Sequence, residues 1–484
     1  MTFWTKSKIN NKNRVSKSMS SLRIKGQRVV LPERVVAPAI IEIKDGVIAA
    51  IHRSDLERVS WNPDTDIDAG DSLVMPGVVD SHVHVNEPGR TLWEGYRTAT
   101  KAAAAGGVTT IVDMPLNSIP PTTTLSAFHE KMTHAKASSH VDVAFWGGVV
   151  PRNQFELRPM IEAGIAGFKC FLIHSGVDEF PHVLESDLHE AMKQLKGTNS
   201  VLLFHAEMEV PSTEETTEVD SSAEYKDFLN SRPKNMENKA IALVAKMCLQ
   251  YRVPCHIVHL SSSDALPIIR DARRRGAPLT VETCHHYLSF TAEEVPEGGT
   301  HFKCCPPIRD KNNQMVLWDA LKRGDIDLVV SDHSPCTPEL KLLEQGDFMK
   351  AWGGISSMQF GLSLFWTGAQ KHGMGLHDMV RLMCERTSKL AGVSHRKGSL
   401  AVGFDGDIVI WDPDSCITIQ PENIHHRHKV TPYSGLTLQG VVQVTIVRGQ
   451  VVYRHGTFSE THKGSLIMCD PNRKRETLTP NAHL

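Results

Sequence analysis

The middle of the chain, about residues 76–394, alternates short apolar runs with stretches of helical character. The runs that predict buried strands are 108–112, 141–146, 167–172, 201–205, 255–260, 280–283 and 328–331. Helix-forming sequences lie between them, at 99–105, 239–249 and 315–322. Strand–helix alternation over about 250 residues is what a (β/α)₈ barrel requires. We therefore predict an α/β fold of the TIM-barrel type, with a doubly wound open sheet as the alternative.

Two β-like segments flank this middle part. Apolar runs at 39–43 and 47–51 are separated by Lys44-Asp45-Gly46, and Asp-Gly between such runs is a hairpin signal. Short glycine-punctuated runs return at 406–411 and 441–452. We predict a small β-sandwich domain formed from the N- and C-terminal segments. The predicted boundaries are 1–21 for a basic N-terminal segment, 22–75 and 395–460 for the β domain, 76–394 for the barrel and 461–484 for a C-terminal tail.

Composition excludes several classes of partner. Lys plus Arg number 53 against 55 for Asp plus Glu, a formal charge of −2. This balance gives no electrostatic reason to expect a nucleic-acid or membrane partner. No apolar run approaches the roughly 18 residues of a spanning helix, so we expect a soluble protein. The ten cysteines, two of them adjacent at Cys304 and Cys305, favour reduced thiols in an intracellular compartment over a disulfide framework.

The first 32 residues contain lysines, arginines and serines but no acidic residue. This composition is typical of organelle transit peptides, and the absence of an apolar core argues against a secretory signal. We expect a mitochondrial location. A disordered basic tail is the alternative reading, with a cytoplasmic or peroxisomal location, although the final Asn-Ala-His-Leu does not match the Ser-Lys-Leu peroxisomal address.

Three residues suggest a metal site early in the barrel. His82 and His84 are two positions apart at the end of a predicted strand, so both imidazoles lie on one face and can bind a divalent metal. Lys169 lies inside an apolar run, where an isolated ammonium is costly to bury. A carbamylated Lys169 would present a carboxylate-like group that can bridge two metal ions. An incidental histidine pair and a lysine at a strand edge are the alternatives.

Three further residues close apolar runs, where barrel active sites collect their side chains. These are His205, His259 and Asp332. Each histidine alone is more often a hydrogen-bonded core residue than a ligand, but together with the earlier residues they favour a metal centre. Asp332 could ligate a metal and accept a proton from water as a general base. His285, His286 and His333 are expected to be pocket or outer-shell groups without an assigned role.

In this order and at these strand ends, the six residues resemble the amidohydrolase superfamily. The resemblance runs from about residue 22 to 452 and lies in the cyclic-amide branch, which contains dihydroorotases, hydantoinases/dihydropyrimidinases and allantoinases. It implies a metal-lined barrel with two divalent ions, most simply zinc, with manganese, cobalt, nickel or iron as alternatives. It also implies an N6-carboxylysine at Lys169 and a homo-oligomer, commonly a tetramer.

Within that branch, residues 82–90 discriminate between subfamilies. Dihydroorotases typically have Arg where Asn86 stands, and a neutral Asn cannot make that charge-assisted contact with a substrate carboxylate. The sequences at 93–95, 102–110, 113–122 and 303–309 are similar to those of allantoinases. The resemblance therefore implies hydrolysis of the cyclic amide of allantoin to allantoate in purine and ureide catabolism. A hydantoinase or dihydropyrimidinase, and a non-catalytic structural relative, remain alternatives.

The resemblance also implies roles for individual residues. His82 and His84 would hold one metal ion and His205 and His259 the other, with Lys169 bridging both. Asp332 would complete the first site and move the proton. The residues implied to face the substrate's amide edge are Asn86, Asn117, Cys305 and Ser334. Arg90 is a further candidate that could instead brace the loop.

Overall fold

The computed structural model describes residues 21–210, 219–461, 464–476 and 478. Residues 1–20, which hold almost all of the predicted leader, lie outside this part, so the leader stays a prediction. The first strand begins at Ser21, and Arg23 on it forms an ion pair with Glu42 at 3.0 Å. The end of the basic, acid-poor stretch thus belongs to a folded sheet.

Eight parallel strands form the predicted barrel. They are β6 (Val78–Val83), β7 (Val108–Asp113), β8 (Asp142–Gly148), β9 (Gly167–Phe171), β10 (Leu202–His205), β11 (Cys255–Ile257), β12 (Leu279–Cys284) and β13 (Leu328–Val330), with β1–β5 preceding them in the chain. Each strand pairs with the next in sequence, and the barrel closes where Val83 pairs with His333, just beyond β13. Because helices cover the outside, most of these strands are buried along their whole length.

Helices follow the strands as predicted. They are α1 (Tyr96–Ala105), α2 (Leu125–Ser138), α3 (Leu157–Glu162), α4 (Glu185–Leu195), α5 (Tyr225–Ser231), α6 (Lys234–Tyr251), α7 (Leu266–Arg274), α8 (His285–Ser289), α9 (Lys311–Arg323), α10 (Gly361–Lys371), α11 (Leu376–Val380) and α12 (Arg386–Leu390). Helix α9 illustrates how local sequence determines where a helix begins and ends. The side chain of Asp310 accepts from the backbone N–H of Asn313 at its start, and Gly324 ends it with a left-handed φ of 76°.

A separate mixed sheet is built from both ends of the chain. Its strands are β1 (Ser21–Leu31), β2 (Val35–Lys44), β3 (Val47–His52), β4 (Ile67–Asp68), β5 (Leu73–Pro76), β14 (Ile408–Thr418), β15 (Thr437–Val447), β16 (Gln450–Arg454) and β17 (Thr457–Phe458). The two ends meet where β14 pairs antiparallel with β5. The sheet has its own core, which includes Ile24, Ile41 and Ile446. This confirms the predicted fold class, whereas the exact domain boundaries stay a prediction.

The hairpin between β2 and β3 forms at the predicted turn. Lys44 pairs with Val47, and both intervening residues have positive φ, 51° at Asp45 and 84° at Gly46. Two consecutive left-handed residues define the turn type that matches strand twist, and Asp-Gly is a favoured sequence for it.

A buried ion cluster joins the barrel to the sheet. Asp142 begins β8, at the barrel end opposite the strand carboxyl ends, and Lys397 Nζ lies 2.5 Å from its carboxylate. The same ammonium contacts Asp405 at 2.8 Å and Asp407 at 2.6 Å, and Arg448 forms a further ion pair with Asp142. The cluster thus links the first residue of a barrel strand to the C-terminal half of the sheet.

Two further sequence expectations concern the whole chain. All ten cysteines are free, in agreement with the predicted absence of a disulfide framework. In the part of the chain that the structure describes, no helix is both long enough and apolar enough to span a membrane.

Candidate metal centre

The six candidate ligands converge at the carboxyl ends of the barrel strands. His82 lies on β6, Lys169 on β9 and His205 at the last position of β10. His84, His259 and Asp332 follow the ends of β6, β11 and β13 by one or two residues. All six residues are nearly inaccessible, with at most 7% exposure, although one end of the group faces a cavity.

The first half of the group surrounds the carboxylate of Asp332. Its Oδ1 lies 3.1 Å from His82 Nε2 and 3.6 Å from His84 Nε2. Burial raises the pKa of Asp332, but the nearby His82 outweighs it and the net pKa lies well below the ordinary value. Burial also lowers the pKa of His84 well below its ordinary value. The pair therefore presents a carboxylate and a neutral imidazole, the forms that bind metal ions.

The second half is a facing pair of imidazoles. His205 Nδ1 and His259 Nε2 lie 3.0 Å apart, and their ring centroids are separated by 4.7 Å. Burial lowers the pKa of His259 well below its ordinary value, and the proximity of His205 adds to this. His205 also stacks on Phe171, with ring centroids 4.4 Å apart. Two neutral imidazoles thus aim ring nitrogens at one another.

Lys169 lies between the two halves. Its Nζ is 3.2 Å from His82 Nε2, and no carboxylate of the described residues lies within ion-pair distance. Burial lowers the pKa of Lys169 to about 8. A sizeable fraction of the side chain is therefore the neutral amine at slightly alkaline pH, and only that form can react with carbon dioxide to give a carbamate.

Four predicted site residues have left-handed backbone conformations. The φ angles are 40° at His259, 44° at Asp332, 67° at Asn86 and 70° at Asn117. Non-glycine residues adopt this region rarely and at a cost, and such strain concentrates at functional sites. The turns that follow the strands therefore hold these side chains at fixed positions around the centre.

Two buried carboxylates behind the histidines were missed by sequence reasoning. Glu282, on β12, lies 2.5 Å from His82 Nδ1 and 3.0 Å from His256 Nε2. Glu207 lies 2.8 Å from His205 Nε2. A signal was available for both: Glu282 is a charge inside an apolar run, as Lys169 is, and Glu207 follows His205 by two positions. Each carboxylate fixes the N–H on the far ring nitrogen, leaving the other nitrogen as a lone-pair donor.

Divalent metal ions fit this donor set. Ligand atoms of His82, His259 and Asp332 all lie within 4.8 Å of one another. Imidazole nitrogens and a carboxylate oxygen suit zinc and several other divalent transition metals. The facing nitrogens of His205 and His259 would compete for a single proton in the absence of a cation, which favours the same conclusion.

A cavity of about 620 Å³ opens directly above these residues. Three of the four predicted substrate-facing residues line it, namely Asn117, Cys305 and Ser334. Asn117 also lies 3.4 Å from His84 Nδ1 through its Nδ2. The cavity is large enough for a small cyclic molecule in contact with the candidate metal ligands.

Asn86 and Arg90 lie elsewhere. Asn86 is buried and is not part of the cavity wall; its Nδ2 donates to the carbonyl of Pro335 at 3.0 Å. Arg90 donates to the carbonyl of Asn117 at 2.8 Å and forms an ion pair with Glu179. Arg90 thus braces the loop that carries Asn117, which is the second of the two roles considered for it.

The three additional histidines lie behind the cavity wall. His333 Nδ1 accepts from the backbone N–H of Ser357 at 3.1 Å, and its Nε2 lies 3.5 Å from Glu94. His286 is completely buried, and Cys284, His286 and Asp332 form a second group with ligand atoms within 4.8 Å. His285 is buried as well. None of the three lines the cavity.

A closed parallel barrel with candidate metal ligands at the carboxyl ends of its strands is the architecture of a metal-dependent hydrolase. The chain belongs to the amidohydrolase family. The family model matches residues 73–452. Similar proteins include allantoinases. Allantoinase from Streptomyces avermitilis is 46% identical over 450 residues, which cover 93% of this chain and 99% of that protein. Mitochondrial allantoinase from Aquarana catesbeiana is 58% identical over 375 residues, 76% of this chain and 75% of that protein.

Solved structures of the same architecture include hydantoinases. L-hydantoinase (dihydropyrimidinase) from Arthrobacter aurescens superimposes with a TM-score of 0.83 at 32% identity, covering 92% of this chain and 97% of that one. D-hydantoinase from Thermus sp. superimposes with a TM-score of 0.82 at 28% identity, covering 93% and 99%. The sequence is therefore more similar to the allantoinases than to these structural neighbours.

Proposed function

We propose that this chain is an allantoinase, which hydrolyses the cyclic amide of allantoin to allantoate at a binuclear metal centre. The observation that carries the proposal is the near full-length similarity to allantoinases, 46% identity over 93% of this chain in one case. The convergence of the six candidate ligands below a cavity, three of them with ligand atoms within 4.8 Å of one another, supports the proposal.

The residues divide into two metal sites. His82, His84 and Asp332 would hold one ion, and His205 and His259 the other. Lys169, 3.2 Å from His82, would hold both as a carbamate, formed when its neutral amine adds to carbon dioxide and releases a proton. When bound, two divalent cations, most simply zinc, lower the pKa of a water molecule enough to supply hydroxide near neutral pH and polarise the ring carbonyl.

Asp332 has a second task in this proposal. Its low pKa keeps it ionised at neutral pH, so it can accept a proton from the attacking water. It then returns the proton to the ring nitrogen as the amide bond breaks, and the ring opens to a carboxylate and a free ureido group. Asn117, Cys305 and Ser334 line the cavity and would contact the amide edge of the substrate. Asn86 would act from behind through the loop at Pro335.

A substrate panel tests the proposal. The metal-reconstituted protein is assayed with allantoin, hydantoin and dihydrouracil, and its metal content is measured in parallel. We expect allantoin to have the highest kcat/KM and about two ions to be bound per chain. Preference for dihydrouracil or hydantoin would assign the chain to the hydantoinase branch. Absence of bound metal, with no rescue by added divalent ions, would indicate a non-catalytic relative.

Location and assembly complete the proposal. The acid-poor, basic N-terminal segment and the mitochondrial allantoinase among the relatives support a mitochondrial location. We also propose that the chain forms a homo-oligomer, specifically a tetramer, on the basis of its resemblance to the family.

A further inference from the structure

Arg232 connects a candidate metal ligand to the cavity. It follows α5 directly, and its Nη1 donates to Glu207 Oε2 at 2.8 Å. The same oxygen lies 2.8 Å from His205 Nε2, and His205 Nδ1 faces His259. A continuous path therefore runs from a guanidinium through a carboxylate to an imidazole of the centre.

Arg232 is the cation that pairs with the buried Glu207. Glu207 is completely buried, and an isolated carboxylate in such a position would be strongly disfavoured. The Arg232 guanidinium and the His205 imidazole both lie 2.8 Å from the same oxygen, Glu207 Oε2, so this buried carboxylate has a partner on each side. With Arg232 fixing this oxygen, Glu207 accepts the N–H of His205 on Nε2, and the lone pair of His205 Nδ1 stays directed at the centre.

Arg232 also lines the cavity. Its side chain is 24% exposed and lines the cavity together with Ser231, Lys303 and Cys305. Among the described residues, only Nη1 of the guanidinium has a hydrogen-bond partner. The remaining N–H groups form a planar donor edge that suits a carbonyl or carboxylate oxygen.

The carboxylate behind the other metal site differs. Glu282 accepts from His82 through one oxygen and from His256 through the other, and all three side chains are completely buried. A molecule in the cavity cannot contact this chain of hydrogen bonds from His82 through Glu282 to His256, which we call a relay. The relay behind His205 therefore differs in ending at a permanently charged group that touches the ligand space.

We propose that Arg232 is a positioning residue for His205, acting through Glu207, and that its free edge binds a carbonyl or carboxylate oxygen of the cyclic ureide or its opened product. The inference rests on the proposed function for the identity of the ligand. The part of the inference that concerns metal affinity, called the metal arm below, rests only on the contacts from Arg232 to His205; the part that concerns substrate binding is called the KM arm.

The test compares four variants of the full-length protein. Arg232→Met removes both roles, Arg232→Lys keeps the charge beside Glu207, and Glu207→Gln removes the buried charge but keeps the shape. Arg396→Met is the matched control, because Arg396 also donates to a buried carboxylate, that of Asp405, at 2.9 Å, away from the cavity. Metal affinity is measured for each of the two sites by chelator competition, and kcat and KM are measured with allantoin.

We expect Arg232→Met to weaken one of the two metal sites about ten- to a hundredfold, the usual effect of losing an outer-shell partner, and to raise KM. Glu207→Gln should weaken the same site with a smaller change in KM. Arg232→Lys should restore much of the metal affinity but not KM, since one ammonium cannot serve Glu207 and the ligand together. Arg396→Met should leave both metal sites unchanged.

Three results would overturn the inference. These are wild-type affinity at both sites in Glu207→Gln, equal weakening of both sites in Arg232→Met, and an unchanged KM in Arg232→Met. If Arg232→Met fails to fold, Glu207→Gln decides the metal arm and Arg232→Lys decides the KM arm. A wild-type protein that binds two ions but does not hydrolyse allantoin would refute the proposed function and leave the metal arm intact.

Discussion

The barrel has a buried charge cluster at each end, and the two are built differently. At the end where the strands begin, the ammonium of Lys397 contacts three carboxylates within 2.8 Å. At the opposite end, Lys169 has a histidine but no described carboxylate within ion-pair distance, and two imidazoles point nitrogens at each other. By proximity alone, each end contains at least one set of three residues that could hold a metal ion.

The difference shows which cluster needs a cation from outside. Asp142, Asp405 and Asp407 already surround a cation that the chain supplies, so a metal ion would have to displace Lys397. The histidines and Asp332 have only Lys169 between them, whose pKa burial lowers to about 8 and which has no described carboxylate within ion-pair distance, while Glu282 and Glu207 orient His82 and His205. Proximity of acidic or imidazole groups is therefore a poor criterion for a metal site unless the neighbouring cations are counted.

The largest expected effect comes from Lys169→Ala. Removing a group that would hold both ions should abolish metal loading and activity, a loss well beyond the roughly 10–100-fold that an outer-shell change costs. Metal content and allantoin turnover measure it, and short carboxylic acids should restore part of both. Cys170→Ala is the matched control, since its side chain leaves the same strand on the opposite face and contacts the carbonyl of Leu203. Full activity of Lys169→Ala would refute the bridging role.

The next largest effect should come from Lys397→Met. It leaves buried carboxylates without their cation, and breaking a buried ion pair typically costs about 3–5 kcal/mol. The free energy of unfolding should fall while metal content per folded chain stays unchanged. Lys25→Met is the control, because Lys25 pairs with Asp68 at the surface and such pairs contribute about 0–1 kcal/mol. A loss of metal in Lys397→Met would contradict the independence of the two ends.

The stability gap between wild type and Lys397→Met should also depend on pH. Burial raises the pKa of Asp142, but the positive charges of Lys397 and Arg448 outweigh burial and bring the pKa below its ordinary 3.8. The stability that Asp142 contributes is therefore present above about pH 4 and is lost as the pH falls through the pKa of the folded state. Burial lowers the pKa of Lys397, but Asp407 and Asp142 raise it above 10.5, so that contribution is lost only at higher pH. Denaturation at several pH values should therefore show the largest gap between about pH 4 and 10.

A smaller effect than these should come from Glu282→Gln. This change removes the charge that orients His82 but keeps the side chain's shape, and the expected cost is about ten- to a hundredfold in affinity at one metal site. Chelator competition measures it. Thr280→Val, one step further along the relay through His256 at 2.7 Å, should have a smaller effect in the same direction. An effect of Thr280→Val equal to that of Glu282→Gln would show that the relay acts through packing.

The sequence by itself determined the fold class and the candidate ligands. Hydrophobic runs such as β7 and β8 are buried on both faces, so a local apolar pattern was sufficient to predict barrel strands. A polar residue at the end of such a run, as at His205, predicts a position at the active-site end of a barrel. Both signals lie within a few consecutive residues, and the pattern of apolar and polar residues along the chain was therefore enough to reveal them.

Only the tertiary structure decided what stands behind those ligands. Glu282 reaches His82 across 200 residues, and Lys397 reaches Asp142 across 255. It also removed Asn86 from the cavity wall and placed Arg232 in it. Such pairings depend on which strands become neighbours when the barrel closes and on the direction of each side chain. The physical reason is that these energies arise from contacts between segments distant in sequence, which no local pattern encodes.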